Sequence, residues 1–249
     1  MNKSKALTSL FVLFVLVASA GCSEIDSRNI RTAGINADME AGVDGSSRTE
    51  VEVRLTTDST LFADQIDLSR GDRLFATING VTQRLGRSGS RYRTTFNFDA
   101  GGMVLIVELD RDNDRNARDS RITIPDAFDI LMPAANTVFE AAEEVTVVWD
   151  PPANGNTIEL IYSGQCMNMQ SNESEGFFRS FNISDSGMHS VVVENLLNSS
   201  DQRQNFDPMM ACPTTVTLRR RSTGTIDREF DGGRFRALQE RELVFIINP

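Results

Sequence analysis

The sequence of 249 residues predicts an all-β protein with two tandem β-sandwich domains that follow a cleaved N-terminal segment. Short segments in which apolar and polar residues alternate recur at close spacing, a pattern typical of half-buried strands. Turn-forming pairs such as Asn79-Gly80 separate these segments. No window between residues 29 and 125 keeps a helical period for three turns. Strands this short and this closely spaced indicate a sandwich or a barrel.

The first 21 residues have the layout of a bacterial secretory signal. Lys3 and Lys5 precede an apolar run over residues 10–17, and small residues follow up to position 21. The uncharged run over residues 6–21 has 16 residues, fewer than the roughly 20 that a membrane-spanning helix needs. A cleaved signal is therefore favoured over a one-helix anchor. An ordinary secretory signal and a lipoprotein signal are the two forms to consider.

The ending Ala20-Gly21-Cys22 resembles the lipobox of bacterial lipoproteins, whose cysteine becomes lipidated and starts the mature chain. The resemblance implies that residues 1–21 are removed, that Cys22 carries three acyl chains such as palmitate, and that residues 22–28 form a lipidated tether. Ser23, and not an aspartate, follows the cysteine. By resemblance to envelope lipoproteins of Gram-negative bacteria, this residue implies that the mature protein is located in the outer membrane.

Removal of the signal leaves 228 residues, enough for two domains. It also removes both lysines, so that 23 arginines face 35 acidic residues and the net charge becomes −12. Nucleic-acid affinity depends on neutralising phosphates, so an acidic protein is a poor candidate for a nucleic-acid partner. We interpret the run Arg219-Arg220-Arg221 as the exposed stretch of a strand.

The first predicted domain spans residues 29–125. A hairpin across Asp44-Gly45 joins an alternating segment at 30–39 to a strand at 51–55. Further strands are predicted at residues 64–68, 73–78, 81–85, 92–98, 103–109 and 121–124.

The second predicted domain spans residues 126–249. Its segment 145–155, with Trp149 before a Pro-rich turn, resembles the second strand and following turn of fibronectin type III domains. With the next strand at 158–162, the resemblance covers about 35 residues and implies an immunoglobulin-like sandwich with Trp149 in its core. The first strand of this domain is predicted at residues 128–133. Later strands are predicted at 177–183, 188–193, 214–218, 233–238 and 242–247, with a connection or one helical turn in 194–206.

The sequence contains three cysteines, and they are predicted to have two different roles. If Cys22 carries lipid, Cys166 and Cys212 remain as a pair in an oxidising compartment. Disulfides persist in such compartments, so these two residues are predicted to form one.

One charged segment has a pattern that could bind a metal. Asp110, Asp112 and Asp114 stand at alternate positions, as the oxygen ligands of a calcium loop do. Arg115 and Arg121 stand where an EF-hand has Gly and Glu. A solvated hairpin loop is therefore the favoured interpretation and a calcium site the alternative.

The rest of the chain offers little catalytic chemistry. His189 is the only histidine, which excludes multi-histidine zinc sites, and the known nucleophile and phosphate-binding motifs are missing. We therefore expect no cofactor and a non-catalytic envelope protein that binds or scaffolds a protein or glycan partner. Its loops at residues 110–120, 164–176 and 198–208 are the expected contact surfaces. The alternatives are a glycan hydrolase with paired carboxylates and a calcium-dependent adhesion or carbohydrate-binding protein.

Overall fold

A computed structural model describes residues 24–45, 47–57, 63–197 and 205–249. Within these ranges the chain is almost entirely β-strand, which confirms the predicted all-β sandwich class. The strands of the first half are β1 (Glu24–Asp26), β2 (Asn36–Val43), β3 (Thr49–Thr56), β4 (Gln65–Asp67), β5 (Arg73–Ile78), β6 (Val81–Arg84), β7 (Gly86–Ser88), β8 (Arg91–Phe96), β9 (Val104–Asp110) and β10 (Ala117–Thr123). Those of the second half are β11 (Asp129–Met132), β12 (Val138–Glu140), β13 (Glu144–Asp150), β14 (Thr157–Met167), β15 (Ser174–Ser184), β16 (Met188–Val192), β17 (Cys212–Thr223) and β18 (Gly232–Asn248). A short helix α1 (Val193–Leu197) follows β16, and two 3-10 turns (Ser27–Asn29 and Thr32–Gly34) follow β1.

One 11-stranded sheet runs through the whole molecule in the order β1-β4-β3-β2-β18-β17-β14-β15. Strands β7, β8 and β12 attach to it off this path. A four-stranded sheet, β10-β9-β5-β6, and a three-stranded sheet, β11-β13-β16, complete the fold.

Two hydrophobic cores lie between these sheets. The first contains inward residues of β2, β3, β5 and β9, such as Met39, Val53, Leu74 and Val107. The second contains residues of β13, β14, β17 and β18, among them the buried Trp149 that the fibronectin-type resemblance implies. Each core thus lies between part of the long sheet and one smaller sheet, which is the packing of a β-sandwich.

Strand β18 belongs to both cores. Its first half pairs in parallel with β2, from Gly232 opposite Asn36 to Gln239 opposite Val43. Its second half pairs with β12, and β17 accompanies it from Arg236 to Ile247. The two strands predicted at 233–238 and 242–247 are therefore one continuous strand.

Two features of the structure bear on the predicted domain boundaries. Within the predicted tether at residues 22–28, β1 pairs with β4 and Ser27 is fully buried. The division at residue 125 stays a prediction, but Phe230, Phe235 and Ala237 from the far end of the sequence pack in the first core.

A buried ion pair holds the N-terminal segment against the first sandwich. Nε of Arg111 lies 2.7 Å from the carboxylate of Asp72, and both side chains are almost inaccessible to solvent. The same guanidinium donates to the backbone carbonyls of Ser27 and Ile30, at 2.6 and 3.1 Å. Residues that directly follow β1 are thus fixed to the loop after β9.

A second buried ion pair lies where the two sandwiches meet. Arg220 donates to both carboxylate oxygens of Asp185 and to the carbonyl oxygens of Asp126 and Pro151. Its guanidinium carbon also lies 4.5 Å from the centre of the Phe128 ring. Arg220 therefore joins the connection between the sandwiches to two turns of the second one.

Among the described residues, none of the helical segments has the length and apolar character that crossing a bilayer requires.

Candidate functional site

The predicted disulfide between Cys166 and Cys212 is confirmed, and it joins two loops at one end of the molecule. These loops, residues 167–173 and 205–211, are called the tip below. Asn168 and Phe206 form an isolated antiparallel bridge between them. Two of the three loops expected to form contact surfaces are therefore brought together, although residues 198–204 lie outside the described residues.

Hydrogen bonds add to the covalent link within the tip. The backbone N–H of Met169 donates to the carbonyl of Asn205 at 2.7 Å, and that of Asp207 donates to the carbonyl of Met167 at 2.8 Å. The side chain of Gln170 donates to that of Asn205 at 2.8 Å. The two loops are thus held in one arrangement relative to each other.

The tip has a buried underside and an apolar exposed surface. Phe206 and both half-cystines are buried in the second core. Met169 and Met210 are about half exposed, and Met209 is 88% exposed. Methionine side chains are flexible and polarizable and adapt to differently shaped apolar partners. The tip therefore combines a fixed backbone with adaptable side chains.

The tip lies at the opposite end of the long sheet from β1, the first described strand. Glu24 pairs with Gln65, and successive pairs lead through Thr56 and Asn36 to Gly232, the first residue of β18.

Cys212 pairs instead with Ile247, near the last residue of β18. At about 3.3 Å per residue, Gly232 and Ile247 are about 50 Å apart along β18.

The three aspartates of the calcium hypothesis make different contacts, two through the side chain and one through the backbone. Asp110 accepts hydrogen bonds from Arg118, and Asp114 accepts from the backbone N–H of Thr32 at 2.5 Å. The backbone at Asp112 is fixed by the carboxylate of Asp72. Within the described ranges, no three His, Cys, Asp or Glu side chains are grouped to hold a metal ion. The structure therefore does not bring the three aspartates of the predicted alternative, a calcium site, together as one group of ligands.

The prediction that all of Arg219-Arg220-Arg221 is exposed is wrong for Arg220. Arg219 and Arg221 do lie on the outer face of the long sheet, paired with Glu240 and Glu159. The side chain of Arg220 is only 4% exposed and points to the opposite face. Side chains of a strand alternate between faces, so Arg220 lies on the same inward face as Leu218, two positions earlier. This alternation was the sequence signal that Arg220 is buried.

One open groove on the outer face of the long sheet contains paired acids. Glu40 lies directly opposite Glu52 in a groove of about 180 Å³. The two oxygens of Glu52 contact the guanidinium groups of Arg91 and Arg93. Both oxygens of Glu52 are held in ion pairs and its side chain is only 15% exposed, so this groove does not support the predicted alternative of a glycan hydrolase with two working carboxylates.

His189 faces the second core from β16. Its ring centre is 5.6 Å from that of Phe181, and its buried Nε2 has no hydrogen-bond partner among the described residues. Burial lowers the pKa of His189, because the charged imidazolium loses its hydration. Histidine and phenylalanine here form a packing contact and not a catalytic pair.

The lowered pKa of His189 predicts a pH-dependent stability. Below the ordinary histidine pKa of about 6.5, the unfolded chain takes up a proton before the folded chain does. Stability should therefore be complete above this pH and fall progressively below it. Urea unfolding midpoints at about pH 7 and pH 5 measure the change. His189→Gln should remove the histidine component, and an unchanged pH dependence in that variant would contradict the assignment.

Removal of the disulfide should loosen the tip more than the rest of the molecule. We expect the double change Cys166→Ala and Cys212→Ala to cost about 2–4 kcal/mol, since an enclosed loop of this size gains freedom in the unfolded chain. Hydrogen exchange should accelerate at residues 167–173 and 205–211, while β2 and β9 in the first core serve as the internal control. Equal acceleration in both sandwiches would show that the bond does not act locally.

Comparisons with known proteins give weak similarities only. No family model and no curated protein matches the chain. A cytokine receptor complex matches over 82% of this chain and 94% of its own, with 13% identity and a TM-score of 0.29. Two fibronectin type III domains of chicken tenascin match over 85% and 98%, with 12% identity and a TM-score of 0.24. The titin fragment I67–I69 matches over 83% of this chain and 62% of its own, with 9% identity and a TM-score of 0.26.

Proposed function

We propose that this protein is a non-catalytic lipoprotein of the bacterial outer membrane that holds its tip at a fixed distance from the membrane for a protein partner. The observation behind the proposal is the placement of β1 and the tip at opposite ends of one continuous sheet. Cys22, the proposed lipid attachment, stands two positions before the first residue of β1. A lipid there would leave almost no tether between bilayer and sandwich.

A protein partner is favoured over a glycan by the surface of the tip. Met169, Met209 and Met210 are apolar and exposed, and they belong to the two loops that the bridge between Asn168 and Phe206 joins. Flexible methionine surfaces are common at protein-binding sites, whereas polar sugar hydroxyls need hydrogen-bonding groups. The disulfide would limit the ordering cost of binding, since the loop backbones are already fixed.

The anchor is tested by Cys22→Ala. A single acyl chain binds membranes only marginally, and stable attachment needs more than one. We expect the variant to leave the outer-membrane fraction while keeping its fold, and mass spectrometry of the wild-type N-terminal peptide to find the acyl chains. Membrane retention of the variant, together with an unmodified wild-type peptide, would refute the anchor.

The tip is tested by a photo-crosslinking amino acid at position 209 in intact cells. Position 188 is the matched control, because Met188 is also strongly exposed but lies on β16 away from the tip. We expect one discrete protein adduct from position 209 and none from position 188. The adduct should also be reduced in the Cys166→Ala and Cys212→Ala variant. Equal adducts from both positions, or none from position 209, would refute the tip as a binding site.

A further inference from the structure

The structure has a long sheet edge at β15. This strand ends the order of the 11-stranded sheet, and its eleven residues pair with β14 without a register shift. Among the described strands, no other strand pairs with its second side. Such an edge has free backbone donors and acceptors that can pair with another strand.

Other edges in the described part of the chain are shorter or irregular. Strand β6 has four residues, and β10 contains a register shift after Ala117. Strand β15 has neither proline nor bulge, and Phe178 on its outer face is 60% exposed. The edge therefore lacks most of the features that prevent pairing.

The sequence of β15 is complementary to itself in one antiparallel register. With Phe177 opposite Phe177 of a second copy, Glu175 lies opposite Arg179, and Arg179 opposite Glu175. Two oppositely charged pairs form at once. A parallel, in-register pairing would place like charges opposite each other, which is unfavourable.

The outer face of the same register is complementary in shape. Phe178 lies opposite Gly176, where a Cβ would meet only the backbone carbonyl of Gly164, at an ordinary contact distance of 3.8 Å. An aromatic ring across from a strand glycine covers the exposed backbone and restores lost packing. This contact would also bury part of the exposed Phe178 ring.

The charge of Arg179 favours pairing of this edge with a second copy of the chain over pairing with a different protein. Its guanidinium donates to the carbonyl of Phe178 at 2.9 Å, and it forms no ion pair within the described residues. A charge on an edge strand repels or leaves unsatisfied most foreign strands. Glu175 already accepts a hydrogen bond from Asn168, and a carboxylate can accept further donors.

We propose that two copies of this protein associate through antiparallel pairing of residues 174–180 of β15. The strand pair extends the long sheet of each copy across the interface. Seven residues from each chain make a small contact, so the dimer is a weak and reversible one. The proposal does not depend on lipid at Cys22 or on the partner of the tip.

A charge-swap series tests the pairing on the full chain in mild detergent by sedimentation equilibrium, up to about 500 μM, a range suited to small interfaces. We expect Glu175→Arg and Arg179→Glu each to weaken association at least about tenfold, because like charges then meet at two places. The double swap should return to within about threefold of wild type, by the same pair energetics. Arg84→Glu, the same charge change on edge strand β6, is the matched control and should leave association unchanged.

Register is tested by mixing two single-cysteine variants. Ser174→Cys should crosslink to Ser180→Cys of the other copy, since directly opposite residues of antiparallel strands are close enough for a disulfide. Peptide mapping should find the 174–180 bond only in the mixture. A monomer at all concentrations, no restoration by the double swap, or homotypic bonds at position 174 would each overturn the proposal. Unchanged dimerisation of Cys22→Ala separates this result from the anchor hypothesis.

Discussion

Replacement of Arg220 by alanine is expected to lower the free energy of unfolding by about 3–5 kcal/mol, the cost of leaving a buried charge without its partner. The side chain of Asp185 is fully buried and would lose the Arg220 guanidinium, keeping only hydrogen bonds such as that from Nε1 of Trp149 at 2.7 Å. The carbonyls of Asp126 and Pro151 would also lose a donor. The junction between the sandwiches should therefore weaken together with the second core.

Arg221 is the matched control for Arg220. It lies next in sequence and pairs with Glu159 at 2.7 Å, but its side chain is 61% exposed. Exposed pairs contribute about 1 kcal/mol or less, so Arg221→Ala should change the urea midpoint little. If Arg220→Ala does not fold, Arg220→Lys keeps the charge without the forked donor and should give an intermediate loss. Equal effects at positions 220 and 221 would contradict the structural role of Arg220.

The stability of this junction should also depend on pH, through the carboxylate of Asp185. Burial alone would raise the pKa of Asp185, but the hydrogen bonds from Arg220 and Trp149 outweigh burial and lower it. Its contribution to stability is therefore present above the ordinary aspartate pKa of about 3.9 and is lost as the pH falls through the lower folded-state value.

Replacement of Arg111 by alanine is the second change with a large expected effect, again about 3–5 kcal/mol. It would leave Asp72 as a buried charge and free the carbonyls of Ser27 and Ile30. The loss should be greatest in the segment between β1 and β2. Hydrogen exchange should therefore accelerate first at residues 24–34, while global stability is measured by urea unfolding.

Arg115 is the matched control for Arg111. It belongs to the same loop and pairs with Glu229 at 3.3 Å, with 80% of its side chain exposed. Arg115→Ala should change stability by less than about 1 kcal/mol. If both variants lose the same stability, or if residues 24–34 keep their protection in Arg111→Ala, the buried pair does not hold the N-terminal segment.

Some features of the fold followed from local sequence. The hairpin across Asp44-Gly45 forms as β2 and β3, in eight consecutive antiparallel pairs. Trp149 is buried in the second core, and Cys166 is bonded to Cys212. Alternation, turn residues and the cysteine count are local or compositional signals, and these are the features that such signals report.

The tip and the buried ion pairs did not follow in the same way. The loops at residues 164–176 and 198–208 were noticed for their polarity, but no sequence signal indicated that Asn168 would pair with Phe206. Arg111 lies in a segment that looks like a solvated hairpin loop, and its partner Asp72 lies 39 positions earlier. Pairs this distant in sequence are joined by strand order, which no local pattern contains.

The sequence by itself determined the strand class, most strand positions and the inward faces, because side chains alternate along every strand. Only the tertiary structure decided that β18 is one strand shared by both sandwiches. In the sequence, the polar residues Gln239 and Arg241 suggest a gap between two strands. In the fold, both side chains face inward and donate hydrogen bonds to the carboxylate of Asp99. A strand can continue through buried polar residues only when their partners are in place, and this partner comes from a connection about 140 positions away in the chain.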